Sequence, residues 1–94
     1  SMAQKAVHVR IVGRVQGVWY RGWTVDTATG LGLSGWVRNR RDGSVEAVFS
    51  GSSSEIDQMI EKCHFGPRSA NVDQVFVELE EGETASGFIQ RPTE

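Results

Sequence analysis

Asp42-Gly43 falls near the middle of the 94-residue chain, with a strand-like run on either side. Leu33 to Asn39 precedes it. Val45 to Phe49 follows, with Val45, Ala47 and Phe49 on one parity and Glu46 and Val48 on the other. Asp-Gly between two such runs is a strong hairpin signal. Moving outward in both directions, the apolar period lengthens from two residues to a helical spacing. Thr24, Ala28 and Leu31 fall at i, i+4 and i+7, with Val25 beside them, while Ile56, Met59, Ile60 and Cys63 make a second stripe. Farther out, the period shortens again. Val7, Val9 and Ile11 alternate with His8 and Arg10, and Val72 to Leu79 reads as a fourth strand with Val75, Val77 and Leu79 inward.

The order is therefore β-α-β-β-α-β. A strand-helix-strand crossover joins parallel strands with a right-handed turn. Two crossovers around one hairpin give a four-stranded, mainly antiparallel sheet with both helices on one face, the ferredoxin-like α/β sandwich. Local signals punctuate it. Gly30 or Gly32 can end the first helix in the left-handed cap position. Ser52 with Glu55, or Ser54 with Asp57, can open the second as a capping box, and Gly66-Pro67 stops it. Three threonines and Gly22 make the first helix a poor one by propensity, so packing against the sheet must hold it. After the fourth strand come the acidic turn Glu80-Glu81-Gly82-Glu83 and a short apolar piece at Phe88-Ile89.

Ninety-four residues are expected to form a single domain, 1–94. A chain of this size buries roughly 60–65% of its unfolded surface, enough for one two-layer core. Residues 1–4 are expected to be a disordered tag or N-terminal extension, Ser1-Met2 reading as an added remnant. No apolar run approaches the roughly 20 residues that span a bilayer, and no signal peptide is visible. Cys63 is the single cysteine, which excludes an internal disulfide and a thiolate metal cluster. A cytoplasmic protein is the expectation. The net charge of −2 conceals an asymmetry. Residues 1–47 carry seven Lys or Arg against three acids, hence +4, and the remainder three against nine, hence −6. An arginine-dominated half suits a small anionic ligand, whereas a nucleic-acid domain is more often basic throughout.

Between the first strand and the first helix runs Gly13-Arg14-Val15-Gln16-Gly17-Val18-Trp19-Tyr20-Arg21. A strand, a glycine-bearing loop and a helix start leave several backbone N–H groups without partners at the positive end of the helix dipole. Such a concavity binds anions, phosphate above all, and the Arg21 guanidinium matches two phosphate oxygens. The stretch lacks the Gly-Lys-Ser/Thr ending of a nucleotide P-loop and the glycine spacing of a dinucleotide fingerprint. Taken alone it fits an ordinary strand-to-helix turn equally well, with Gly17 supplying positive φ. The packing of the sandwich makes Arg21 and Asn39 neighbours.

Joined to a second signature, Gly35-Trp36-Val37-Arg38-Asn39 followed by Asp42-Gly43 and Val45-Glu46, this chain closely resembles the acylphosphatase family. The likeness continues through Ala28, Leu31-Gly32-Leu33, Gly66-Pro67 and Phe88, and so covers nearly the whole chain. It implies metal-independent hydrolysis of the carboxyl-phosphate bond of acyl phosphates, with no cofactor and a monomeric chain. It implies that Arg21 is the catalytic arginine and that Asn39 positions the attacking water. It also implies that the backbone amides of Val15, Gln16, Gly17, Val18, Trp19 and Tyr20 cradle the phosphate. Tyr20 satisfies the family's Phe or Tyr before the arginine. Trp19 stands where a smaller residue or Phe is common, and Gly22-Trp23 is an unfamiliar helix start. These departures bear on substrate preference and loop rigidity.

The remaining candidates have structural readings. His8 and His64 lie in a strand and at a helix end, away from the loop. No acid-histidine set has the spacing of a metal site. Cys63 reads as a small core residue, and Arg38, Arg40 and Arg41 as a solvated hairpin tip. Trp19, Trp23 and Trp36 read as loop packing and cover for the open face of the sheet. The rival class is a ferredoxin-like nucleic-acid or ligand-binding module without catalysis. RNA-recognition domains share the strand order, but Val45-Glu46-Ala47-Val48-Phe49 lacks their aromatic pattern and Glu46 would repel phosphate. A second rival is a stand-alone relative of acylphosphatase-like domains in larger enzymes, binding carbamoyl phosphate. No nucleic-acid or membrane partner is expected.

Overall fold

The computed structural model describes residues 4–82 and 84–94. The elements follow the expected order with one addition: β1 (Gln4–Arg14), α1 (Tyr20–Gly30), β2 (Ser34–Asn39), β3 (Val45–Ser52), α2 (Ser53–Cys63), β4 (Asn71–Leu79) and β5 (Phe88–Gln90). The strands form one sheet in the order β4-β1-β3-β2-β5. β1 runs antiparallel to both β3 and β4, and β2 antiparallel to β3. The two crossovers thus join strands that run parallel to each other with one antiparallel strand between them, as the ferredoxin-like order requires.

The sheet has five strands, not four. Phe88, Ile89 and Gln90 pair in parallel with Gly35, Trp36 and Val37. The contact continues past the strand, where Arg91 N–H donates to the Val37 carbonyl (2.8 Å) and Glu94 N–H to the Asn39 carbonyl (3.0 Å). A three-residue strand has too little alternation to be read locally. Its fixing force is the Phe88 ring, which stacks on Phe49 with centroids 5.4 Å apart and sinks into the core. Gln4, grouped by sequence with the disordered terminus, instead opens β1 opposite Ser52. Ser1, Met2 and Glu83 of the acidic turn lie outside the described residues.

One sheet face carries Val7, Val9, Ile11, Val37, Val45, Ala47 and Phe49, all buried against the helices. α1 contributes Tyr20, Thr24 and Ala28, and α2 contributes Ile56, Met59 and Cys63. Burying each Val, Ile, Phe or Met side chain in this layer is worth roughly 1.5–3 kcal/mol relative to leaving it exposed, and smaller groups such as Ala28 less. That is what makes a helix as weak as α1 persist. Cys63 is fully buried in this layer, and burial pushes its thiol up to about 12. Val77 and Leu79 depart from expectation. They share a face with their partners Val9 and Val7, yet are 41% and 80% exposed. α2 sits over β3 and β1, and α1 over β2, β3 and β5, so neither roofs the edge strand β4. Alternation assigns a face but not a cover.

Both helices end where glycine permits. Gly32 takes the left-handed turn after α1 (φ 74°), and the Leu33 N–H reaches back to the Ala28 carbonyl at 2.9 Å. Ser52 caps α2, its Oγ accepting from the Glu55 N–H. Among the described residues, no helix is long and apolar enough to cross a membrane.

Candidate functional site

The pairing of β1 with β4 shifts register at a bulge between Val12 and Gly13 and then runs on through Gly13–Val72 and Arg14–Asn71 to the strand's end. Gly13 sits at φ 138°, and a Cβ there would lie 2.3 Å from the Asn71 carbonyl oxygen. Only glycine lets the chain pass β4 this closely before turning away. Gly17 then takes φ 73°, and α1 begins at Tyr20. Arg21 therefore lies in the first turn of α1, not just before it.

The two helices begin differently. α2 has a serine cap. α1 has none: Trp19 occupies the cap position in the left-handed region (φ 68°, ψ 26°) and gives no side-chain hydrogen bond. Among the described residues, the backbone N–H groups from Gln16 to Gly22 meet no protein acceptor. A helix start with uncapped donors on a turned-in loop is a ready anion site.

The loop is fastened at both ends by side chains. Gln16 donates through Nε2 to the Arg40 carbonyl (2.7 Å) and the Ser44 carbonyl (2.9 Å), pinning the loop to the β2–β3 hairpin. That hairpin is itself braced. Asp42 accepts at Oδ1 from the Ser44 N–H (2.9 Å) and the Ser44 hydroxyl (2.6 Å), and these bonds hold its carboxyl below the usual range. At the other end, the buried Tyr20 hydroxyl donates to the Cys63 carbonyl at 2.6 Å, tying the start of α1 to the end of α2. Burial and the neighbouring Cys63 push the phenol far above its ordinary pKa, so it stays a donor.

Arg21 and Asn39 line one pocket, together with Val15, Gln16, Gly17, Trp19, Tyr20, Gly22 and Gln90. Its volume is about 160 Å³. Val18, the remaining cradle residue read from sequence, does not line it; its side chain is buried beside a neighbouring groove. Asn39 is 8% exposed, and its Oδ1 is a buried acceptor with no protein donor. Such an atom costs roughly 1–3 kcal/mol when unpaired. Arg21 is half-buried and, among the described residues, pairs with no carboxylate. A guanidinium with no carboxylate partner among the described residues, a loop with unpaired N–H donors and a residue with one unpaired carboxamide oxygen thus line the same small pocket. Sequence reasoning missed the Gln16 side chain, whose acceptors lie 24 and 28 residues downstream, and Gln90, which reaches the pocket on a strand it did not assign.

The other candidates lie apart. On the open face of the sheet, Glu46 gathers three basic side chains. His8 Nε2 lies 2.6 Å from Oε2, Arg38 Nε donates to Oε1 at 2.7 Å, and Arg40 sits 3.4 Å from Oε1. Arg38 also reaches Glu94 at 3.0 Å. Arg38 is therefore no part of a solvated tip: its position in β2 opposite Glu46 draws it onto the sheet, where it is 16% exposed. Trp36 covers this face, with the Arg38 and Arg91 guanidinium groups each 4.7 Å from its ring centroid. A larger cleft of about 210 Å³ between Trp36 and the 80–87 loop carries neither the loop amides nor Asn39. Among the described residues, no three His, Cys, Asp or Glu side chains come close enough to hold a metal ion.

The fold and the pocket define a ferredoxin-like α/β domain with an anion-suited centre at its first crossover. The acylphosphatase family profile matches residues 7–89, and the chain belongs to that family. An acylphosphatase of Rhodospirillum rubrum is 54% identical over 89 residues, covering 95% of this chain and 98% of that protein. One from Rhizorhabdus wittichii is 51% identical, covering 95% and 88%. The structure of an acylphosphatase from Coxiella burnetii superposes with a TM-score of 0.91 at 36% identity, covering 94% of this chain and 93% of that one. Acylphosphatases are hydrolases acting on acid anhydrides.

Proposed function

We propose that the chain hydrolyses acyl phosphates to a carboxylate and inorganic phosphate at the Arg21–Asn39 pocket, without a metal. The observation that carries this reading is the shared pocket itself, lined by Arg21, by Asn39 with its unpaired Oδ1 and by the first loop. Arg21 binds two phosphoryl oxygens through its fork. The amides of Val15, Gln16, Gly17, Trp19 and Tyr20, at the positive end of α1, take the remaining charge. Asn39 Oδ1 accepts a hydrogen bond from the attacking water and aims it at phosphorus.

The chemistry asks for little more. An acyl phosphate is a mixed anhydride whose leaving group is a carboxylate, a weak base that departs without a proton. Water oxygen bonds to phosphorus in line as the bond from phosphorus to the acyl oxygen breaks. The proton of the water passes to a phosphoryl oxygen or to solvent. Such transfers are accelerated mainly by positioning and by stabilising charge on the equatorial oxygens. A pocket of about 160 Å³ is below the roughly 300–1,000 Å³ of drug-sized ligand sites. It suits a phosphoryl group with its water.

The test is hydrolysis of benzoyl phosphate and acetyl phosphate in the presence of EDTA. Turnover is expected with both. Absence of turnover, accompanied by binding of RNA, would turn the reading toward the nucleic-acid module. We further read residues 1–94 as one domain acting as a cytoplasmic monomer, in keeping with its small size and single buried cysteine. Sedimentation at micromolar concentration should give the mass of one 10.4 kDa chain, and a dimer mass would refute that reading.

A further inference from the structure

Trp19 is the one residue other than glycine at positive φ among the described residues. For a bulky side chain the left-handed region costs about 1–3 kcal/mol and persists only where surroundings enforce it. The indole is nevertheless 62% exposed. What holds it is Gly22, one turn into α1. A Cβ on Gly22 would sit 2.0 Å from the indole Nε1, so the ring lies directly on the helix backbone. There it borders two spaces. One is the Arg21–Asn39 pocket; the other is a groove of about 470 Å³ whose walls include Val18, Trp23, Pro67 and Ser69. The two share Trp19 alone, and the groove includes neither Asn39 nor Gln90.

Substrate geometry gives this arrangement a use. The phosphoryl pocket is about a third the volume of the groove beside it, 160 Å³ against 470 Å³, so a bulky acyl group has more space beyond the pocket than within it. In-line displacement sets attacking water and leaving carboxylate on opposite sides of phosphorus. With the water at Asn39, the acyl group departs past a wall that Asn39 does not form. Trp19 is the side chain that joins the pocket to a second, larger, aromatic-lined space. We propose that this groove is the subsite for the acyl group, so that substitutions along its wall change the selectivity between benzoyl phosphate and acetyl phosphate. The indole of Trp19 offers its face to the acyl ring, with Trp23 and Pro67 behind it. The proposal rests on the reading of the adjoining pocket as an acylphosphatase centre.

The test compares kcat and KM for benzoyl phosphate and acetyl phosphate in the full chain and three variants, with folding checked by circular dichroism. Ser69→Trp fills the groove from a residue outside the phosphoryl pocket. It is expected to raise KM for benzoyl phosphate about 3–10-fold, the range of a lost aromatic pair, while leaving acetyl phosphate hydrolysis unchanged. Trp19→Ala is expected to lower the benzoyl-to-acetyl ratio of kcat/KM by a similar factor, and Trp19→Phe to keep most of it. Should Trp19→Ala disturb the loop and depress both substrates, Ser69→Trp alone decides. A ratio that does not fall in Ser69→Trp overturns the subsite while leaving the hydrolase reading intact. A wild-type chain that hydrolyses neither substrate overturns both.

Discussion

Asn39 is buried with its Oδ1 unpaired, a cost that a core position could shed by becoming apolar. The orphan is explained if the acceptor is kept for a ligand atom. Removing it should then cost turnover and leave binding nearly intact: Asn39→Ala is expected to lower kcat by about 10²–10³, with little change in KM. On the proposed reading, in which the Arg21 guanidinium holds the phosphoryl group in the ground state as well, Arg21→Ala should lower kcat and raise KM together. Steady-state kinetics on benzoyl phosphate separates the two patterns. If Asn39→Ala turned over at the wild-type rate, the water-positioning role would be lost. The charge and shape of these two residues were legible in sequence. Their meeting in one pocket followed from strand order. The left-handed Trp19 was not legible, because φ at that position is set by an indole resting on a glycine three residues later.

The first loop and the β2–β3 hairpin are one mechanical unit, joined by the Gln16 carboxamide. Its two hydrogen bonds to backbone carbonyls are each worth about 1 kcal/mol net. Gln16→Ala is expected to lower stability by about 1–2 kcal/mol in urea titration and to reduce kcat/KM. Gln16→Glu should be worse than alanine, since a carboxylate cannot donate to two carbonyls and adds negative charge beside the phosphoryl pocket. Equal activity in the wild type and Gln16→Ala would remove this side chain from any positioning role. On the reverse of the same hairpin, burial works to raise the Glu46 pKa, but hydrogen bonds and charge from His8 and Arg38 outweigh it and hold the carboxyl below its usual range. A carboxylate held charged in the folded chain stabilises it fully above the ordinary glutamate pKa of ~4.3, and this contribution is lost as pH falls further. Thermal unfolding followed from pH 7 to 3 should show a steeper acid decline in the wild type than in Glu46→Gln. At this scale the two helices and four strands were readable from local periodicity, and the Gly32 and Ser52 caps each as one of two alternatives, but the Trp19 cap of α1 was not. β5 was not, because its three residues are fixed by Phe88 stacking on Phe49. The exposure of Val77 and Leu79 was not readable either, since period 2 carries no record of how far a helix extends across a sheet.

The pocket draws on residues from Val15 to Gln90, supplied by the first loop, α1, β2 and the parallel edge strand β5. β2 and the first loop are not adjacent in the sheet; β3 lies between β1 and β2, and Gln16 hydrogen-bonds the loop to the hairpin. No short contiguous fragment therefore holds more than part of the pocket. Small single domains unfold in one cooperative step, and here the assembly of the centre should be bound to that step. In a denaturant series, loss of acyl phosphate hydrolysis and loss of the far-ultraviolet helix signal should trace the same curve. Activity that vanished well before the helices would reveal a loop able to open by itself.

The parallel strand at the sheet's edge has a practical corollary. Glu94 bonds to Asn39 through its main chain and to Arg38 through its side chain, and Gln90 stands four residues earlier at the pocket wall. Affinity handles or reporter fusions attached behind Glu94 would therefore hang beside the reactive centre. Those attached ahead of Gln4 would begin at the far end of the first strand, which makes that end the safer one to engineer.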